Sequence, residues 1–266
     1  MTKIFLGPSS LGSYKEAFSN LEYFKKNGLS ACEVAFTYGV YLNEKQAIEV
    51  GKKAKELGIK LSVHAPYYIN LNSEDKKKIG ASKKRILDCA KIGHFLGAKK
   101  IVFHSGFYGK ISKEETFENI KKEILELIKE IKKNTWEVEI CPEVMGKINV
   151  FGSIEEISKL SKETGCGFCI DFAHILARYK NREFELIKRS FPQKEWHCHF
   201  SGIEYGEKGE KNHRKTKKEE WLELFNFLKD LDKEITIINE SPFHIEDSIE
   251  GAEIWKKFKG LWSSLA

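Results

Sequence analysis

No stretch of this chain approaches the roughly 18 consecutive apolar residues that a membrane-spanning helix needs. The opening MTKIFLGPSS has the pattern of a strand, not of a secretory signal. A cytoplasmic protein with no membrane partner is therefore expected. No Gly-rich phosphate loop follows the first apolar run, because GPSSLGS does not fit GxGxxG, and a doubly wound dinucleotide-binding sheet loses its main signature. No second CxxC accompanies Cys166-Gly-Phe-Cys169, so a zinc knuckle cannot be completed. The six cysteines (Cys32, Cys89, Cys141, Cys166, Cys169, Cys198) sit mostly inside apolar runs, as buried free thiols in a reducing compartment do. No linker, repeat or low-complexity segment interrupts the 266 residues, which predicts one domain over 1–266. Forty-five Lys and Arg against 39 Asp and Glu leave a net charge of +6. That tilts towards an anionic partner, although the lysines are spread over helix faces, where solvated surface is the commoner explanation.

Apolar runs and helical periodicities alternate along the whole length. Runs at 3–7, 31–36, 60–65, 99–105, 136–144, 167–174, 196–201 and 234–241 read as strands. Amphipathic segments at 14–26, 44–57, 73–96, 113–133, 153–163, 183–191, 217–231 and 248–258 read as helices. Ser153 with Glu156 forms a capping box, and Gly28, Gly58 and Gly97 stop helices. The strand cores are nearly continuous in Val, Ile and Phe, as parallel strands covered on both faces should be. Eight strand–helix units in this length predict an α/β fold, a single (β/α)8 TIM barrel.

Against that frame the polar residues share one address. LSVHAP places His64 at a strand end, KIVFHSG His104, VEICPEV Glu143, FCIDFAH Asp171 and His174, WHCHFSG His199 and TIINESP Glu240. Strand ends converge at one mouth of such a barrel, where its chemistry is placed. One buried histidine is usually a satisfied core residue. Six consecutive strands ending in His, Asp or Glu would be costly to bury unpaired, and a divalent metal cluster resolves that cost. Imidazole with carboxylate suits zinc, and manganese or iron under other conditions. His197 falls on the same face as His199 but one layer deeper, which favours a supporting or core role. His94 reads as a helix-surface residue, His244 as a rim residue, and His213 lies in the polar loop after strand 7, able to reach back over the site.

These residues make the chain resemble the endonuclease IV family of apurinic/apyrimidinic endonucleases. The matching pieces are HAPYYINL (64–71), VFHSG (102–106), PEVMGKINVFGS (142–153), CIDFAH (169–174), HCHFSG (197–202), His213 and NESP (239–242), in the family's order. The resemblance implies a zinc-dependent barrel, with two or three ions per chain, that repairs double-stranded DNA. The reaction would be hydrolysis of the phosphodiester 5′ to an abasic site by a metal-activated hydroxide, and a monomer is expected. It further implies that His64, His104 and Glu143 hold a first ion, and that Glu143 bridges to a second held by Asp171, His199 and Glu240. His174 and His213 would hold a third. Glu143 would be the catalytically critical ligand, and Tyr67 would wedge into the duplex.

Two positions depart from the family pattern. Lys211-Asn212-His213 stands where the family has Asp-x-His, so the third position keeps only two imidazoles unless Glu210 or Glu207 folds in; a two-ion core with a labile third is favoured. The loop after strand 2, FTYGVYLNE (36–44), lacks the family's DNA-probing arginine, and Tyr38 or Tyr41 is the replacement. Two other readings remain. Sugar isomerases and epimerases of the same barrel superfamily flank one divalent ion with two glutamates, and Glu143 and Glu240 could serve. A non-catalytic nucleic-acid-binding barrel with a structural metal ranks last, because structural zinc sites are closed and cysteine-rich.

Overall fold

The computed structural model describes residues 2–263. In chain order the first half comprises β1 (Lys3–Pro8), α1 (Tyr14–Lys26), β2 (Ala31–Ala35), α2 (Glu44–Leu57), β3 (Lys60–His64), α3 (Lys76–Leu96), β4 (Lys100–Phe103) and α4 (Lys113–Lys133). The second comprises β5 (Glu139–Pro142), α5 (Ile154–Thr164), β6 (Cys169–Asp171), α6 (Phe172–Tyr179), α7 (Phe184–Ser190), β7 (Glu195–Phe200), β8 (Gly202–Gly206), β9 (Gly209–Arg214), α8 (Lys218–Leu228), β10 (Glu234–Asn239) and α9 (His244–Ser263).

Parallel ladders run in two arcs, β2-β3-β4-β5 and β1-β10-β7-β6. The arcs join where Glu143 bridges Cys169 in parallel, and where the Ser30 amide donates to the Leu6 carbonyl at 2.9 Å. The result is a closed (β/α)8 barrel. Gly7 permits the second closure, since a Cβ there would run into the backbone carbonyl of Ala31. The helices are built as their sequences dictate. In α4, Phe117, Ile120, Ile124, Leu127 and Ile131 recur every three or four residues and are buried. Ser112 caps that helix by accepting the Glu115 amide, and the Ser153/Glu156 capping box starts α5. Between barrel wall and helices lies an apolar shell in which Trp221 of α8 packs 4.8 Å from Phe200 and 5.3 Å from Phe225, centroid to centroid.

The alternating sequence pattern placed all eight barrel strands, but several boundaries move. The run 136–144 contributes only Glu139–Pro142, and 167–174 only Cys169–Asp171. The latter ends because the Asp171 carboxylate caps a helix, accepting the His174 amide at 2.7 Å. His174 therefore sits in the first turn of α6, not at a strand end. The helix expected over 73–96 begins at Lys76, capped by Asp75. The loop expected after the seventh barrel strand is the β8–β9 hairpin, whose antiparallel register slips between Glu204 and Tyr205. The final helix is longer than 248–258 and begins at His244. The six cysteines are buried and free. Among the described residues no helix is long and apolar enough to cross a membrane.

Candidate metal centre

Strand period sets which side chains enter the barrel. Register pairs His64 with Val102, Val102 with Cys141, and Asp171 with His199, so the lumen-facing residues step up each strand by two. At the C-terminal mouth this periodicity delivers His64 and Asp171 as the last residues of β3 and β6, and His199 next to the end of β7. His104, Glu143 and Glu240 stand one residue beyond β4, β5 and β10. The backbone holds them there: the Glu143 amide donates to Phe103 and the Glu240 amide to Phe200.

Glu143 is the hub. Its Oε2 lies 3.1 Å from His104 Nε2 and 3.4 Å from His64 Nε2. Its Oε1 lies 3.0 Å from His174 Nδ1 and 3.4 Å from His199 Nδ1. His199 Nδ1 is also 3.4 Å from Glu240 Oε1. Nδ1–H of His64 donates to the Ala65 carbonyl at 2.7 Å, which turns its Nε2 towards the centre. Donor atoms gather within 4.8 Å of one another in adjoining groups: His64, His104 and Glu143; His64, His199 and Glu240; Glu143, Asp171, His199 and Glu240; and His174, Glu210 and His213.

Three observations fit a cation here. Glu143 Oε1, Asp171 Oδ2 and His199 Nδ1 are buried without an aligned hydrogen-bond partner among the described residues. A buried polar atom left in that state is costly, and coordination would relieve it. Second, the fully buried carboxylates of Glu143 and Asp171 crowd against the partly exposed one of Glu240, which is unfavourable without compensating positive charge. Third, the electrostatics ask for that charge. Burial works against protonating His64, yet the Glu143 hydrogen bond and neighbouring carboxylates raise it to about 9. His174 and His199 are raised in the same direction despite their burial, His174 mainly by Asp171 and Glu143. Asp171 is pushed up to about 6 by burial, against the pull of His174. Burial would raise Glu240 too, but His199 brings it down to about 2.

The hairpin changes the expectation for the third group. Glu210 Oε2 lies 3.3 Å from His174 Nε2, and its Oε1 4.0 Å from His213 Nε2. The carboxylate missing at position 211 is thus supplied by its neighbour, and Glu207 stays exposed at the hairpin turn. Lys211 lies along Gly206 on the opposite strand, not over the imidazoles. Of the two carboxylates expected to be able to fold in, Glu210 is the one beside both imidazoles. The hairpin is pinned where Gly209 crosses the backbone of Gly146, a contact that a Cβ at Gly209 would block, while a Cβ at Gly146 would run into Glu210 and His174. Ser201 Oγ sits 2.8 Å from His213 Nδ1 and orients that ring.

One residue escaped sequence reasoning. Glu33, fully buried on β2, sits 3.0 Å from His199 Nε2 and 3.1 Å from His197 Nε2, and accepts a hydrogen bond from Ser62 Oγ at 2.8 Å. Burial opposes its ionisation, but His199 and His197 hold it well below the usual carboxylate range. The only signal was a glutamate inside the apolar run ACEVAF. His197 is accordingly a buried supporting residue. Cys169 Sγ also lies near His197 and His199, and burial pushes its thiol well above the usual range. His94 accepts the Glu137 amide at 3.2 Å, and His244 begins α9 at the rim, half-buried.

Around the mouth the expected DNA-contacting residues separate. The Tyr67 ring lies 5.9 Å from that of His64 and 5.7 Å from that of His104, and is 58% exposed. Tyr38 is 86% exposed in the loop after β2, while Tyr41 donates to the Gly12 carbonyl and packs edge-on against Phe36. Of these two tyrosines Tyr38 is the more exposed. Tyr68, Phe107, Ile148 and Phe243 are likewise exposed on loops that follow barrel strands, and Tyr205 is exposed on β8 of the hairpin.

The family model described as xylose isomerase-like TIM barrel matches residues 21–258. An uncharacterized protein of Methanocaldococcus jannaschii is 36% identical over 253 residues, 89% of this chain and 91% of its own. A probable endonuclease 4 of Mycoplasma pneumoniae is 32% identical over 118 residues, 42% of this chain and 40% of that protein. Among solved structures, a D-tagatose 3-epimerase-like protein superposes with a TM-score of 0.74 at 20% identity, covering 99% of this chain and 100% of that one. Endonuclease IV from Thermus thermophilus superposes with a TM-score of 0.66 at 17% identity, covering 96% and 98%. At these identities the two structural likenesses speak for the fold alone. With nine-tenths of its length matched by the family model, the chain belongs to the xylose isomerase-like TIM barrel family.

Proposed function

We propose that this protein is a zinc-dependent phosphodiesterase that cuts double-stranded DNA 5′ to abasic sites. The observation that carries this reading is the extent of the donor field. His64 and His104 on one side of Glu143, and His174, Glu210 and His213 on the other, lie outside the quartet Glu143, Asp171, His199 and Glu240. A single ion needs four to six donors, and this mouth offers nine residues in adjoining groups. Divalent ions held there would neutralise phosphate oxygens and acidify water, the demands of phosphodiester hydrolysis at neutral pH.

The protein's own residues prepare that chemistry. Glu143 belongs to two donor groups and fixes their spacing. Asp171 spends one oxygen on the α6 amide, leaving the other for the centre. Tyr67 forms a half-exposed lid edge beside His64 and His104, placed to displace a base and shield the reacting phosphate from bulk water. The exposed aromatic side chains of the rim offer stacking surfaces to unpaired bases. The partial match to a probable endonuclease 4 supports the same reading.

A second reading has its own observation. Glu143, Asp171, His199 and Glu240 are by themselves a one-ion donor set with two glutamates, and the fold superposes on an epimerase-like protein. The two readings part in one assay. Purified protein supplied with zinc is incubated with a duplex carrying one stable abasic analogue, and with a ketohexose. Incision 5′ to the analogue leaving a 3′-hydroxyl supports the nuclease; epimerised sugar with intact DNA supports the alternative.

A further inference from the structure

Strand β2 delivers no donor to the groups around Glu143, yet it carries a fully buried glutamate in its middle. Removing a carboxylate from water costs several kcal/mol unless charge and hydrogen bonds replace the solvent. Glu33 has two hydrogen bonds and one adjacent imidazole in their place. Ser62 Oγ and His197 Nε2–H approach Oε2 at 2.8 and 3.1 Å, while Oε1 and His199 Nε2 stand 3.0 Å apart, each buried without an aligned hydrogen-bond partner among the described residues, so that a small turn of the ring would pair them. Ser62 is its register partner on β3, and His197 and His199 are successive lumen residues of β7, so the lumen aims all three at one carboxylate. A carboxylate can only accept. A neutral His199 that presents Nε2–H to Glu33 keeps its Nδ1 lone pair for an ion on the side of Glu143 Oε1 and Glu240 Oε1, each 3.4 Å away.

We infer that Glu33 is a positioning residue for the metal centre: it fixes the tautomer and ring angle of His199 so that Nδ1 is the ligating atom, with His197 and Ser62 holding the carboxylate in place. The inference rests on reading the mouth as a metal site. An imidazole whose second nitrogen donates to a carboxylate is both oriented and made a stronger ligand, and loss of such a partner costs about 10–100-fold in metal affinity.

The test uses the zinc-loaded full chain. Long-range proton–nitrogen correlation spectra of the wild type should show His199 protonated at Nε2 and coordinated through Nδ1. Glu33→Gln should bind zinc about 10–100-fold more weakly in competition with a chromogenic chelator. Wild-type affinity in a folded Glu33→Gln variant overturns the inference. If that variant does not fold, the wild-type spectrum decides: coordination through Nε2 with a protonated Nδ1 overturns it equally. A wild type that takes up no zinc fails differently, because it removes the metal reading itself.

Discussion

Replacing Glu143 by glutamine keeps the length and shape of the side chain but removes its charge and turns one acceptor oxygen into an NH2 donor. The consequence follows from its contacts. Its two oxygens lie within 3.0–3.4 Å of nitrogens on His64, His104, His174 and His199, so one amide group would face imidazole nitrogens on both sides. Loss of one preorganised electrostatic contact at a developing charge typically costs about 3–4 kcal/mol, or 10²–10³ in rate. Because Glu143 joins two donor groups, the fall in kcat/KM should reach at least about 10³-fold, with zinc content reduced as well. The fold should survive, since the hydrogen bond from the Glu143 amide to the Phe103 carbonyl, which holds the strand end, is untouched. The assay is incision of a duplex with one abasic analogue, alongside circular dichroism melts and zinc analysis. A variant retaining more than about a tenth of wild-type activity at unchanged zinc content would refute the hub role, on the scale of tenfold per 1.4 kcal/mol.

Three other substitutions probe separate parts of the molecule. Tyr67→Ala should weaken binding to abasic duplex far more than to undamaged duplex in gel-shift titrations, because the exposed ring lies against His64 and His104 at the mouth; equal losses would reduce Tyr67 to a packing residue. Glu210→Ala should cost one equivalent of zinc by native mass spectrometry, leaving His174 and His213 without their shared carboxylate; unchanged stoichiometry would restore a two-imidazole third position. Gly7→Ala should destabilise the barrel by about 1–3 kcal/mol in urea melts, because the new methyl meets the Ala31 carbonyl at the β1–β2 closure; an unchanged midpoint would mean that the seam yields freely.

The barrel was legible in the sequence because two independent periodicities alternate, with apolar strand runs at one level and the three-to-four spacing of Phe117, Ile120, Ile124 and Ile131 at the other. The mouth was legible because parallel barrels put strand C-termini together, so His64, Glu143, Asp171 and Glu240 needed no long-range information to be grouped. What failed depended on contacts that the apolar pattern does not record. Asp171 was taken for part of a longer strand because its capping of α6 is a local competition between side chain and ladder. Glu210 became the neighbour of His174 only through the Gly146–Gly209 crossing and the irregular β8–β9 register. Glu33 was placed correctly on a strand, but its partners lie more than 160 positions away on β7, where the local pattern cannot point.

The proposed multi-ion, DNA-cleaving mouth is tested most directly by zinc per chain, measured by elemental analysis of purified protein and paired with incision of a single-abasic-site duplex by the same sample. The expected result is two or three zinc ions and a single cut 5′ to the lesion, both lost on chelation and both restored by zinc. One tightly held ion, intact DNA and an epimerised ketohexose would contradict it.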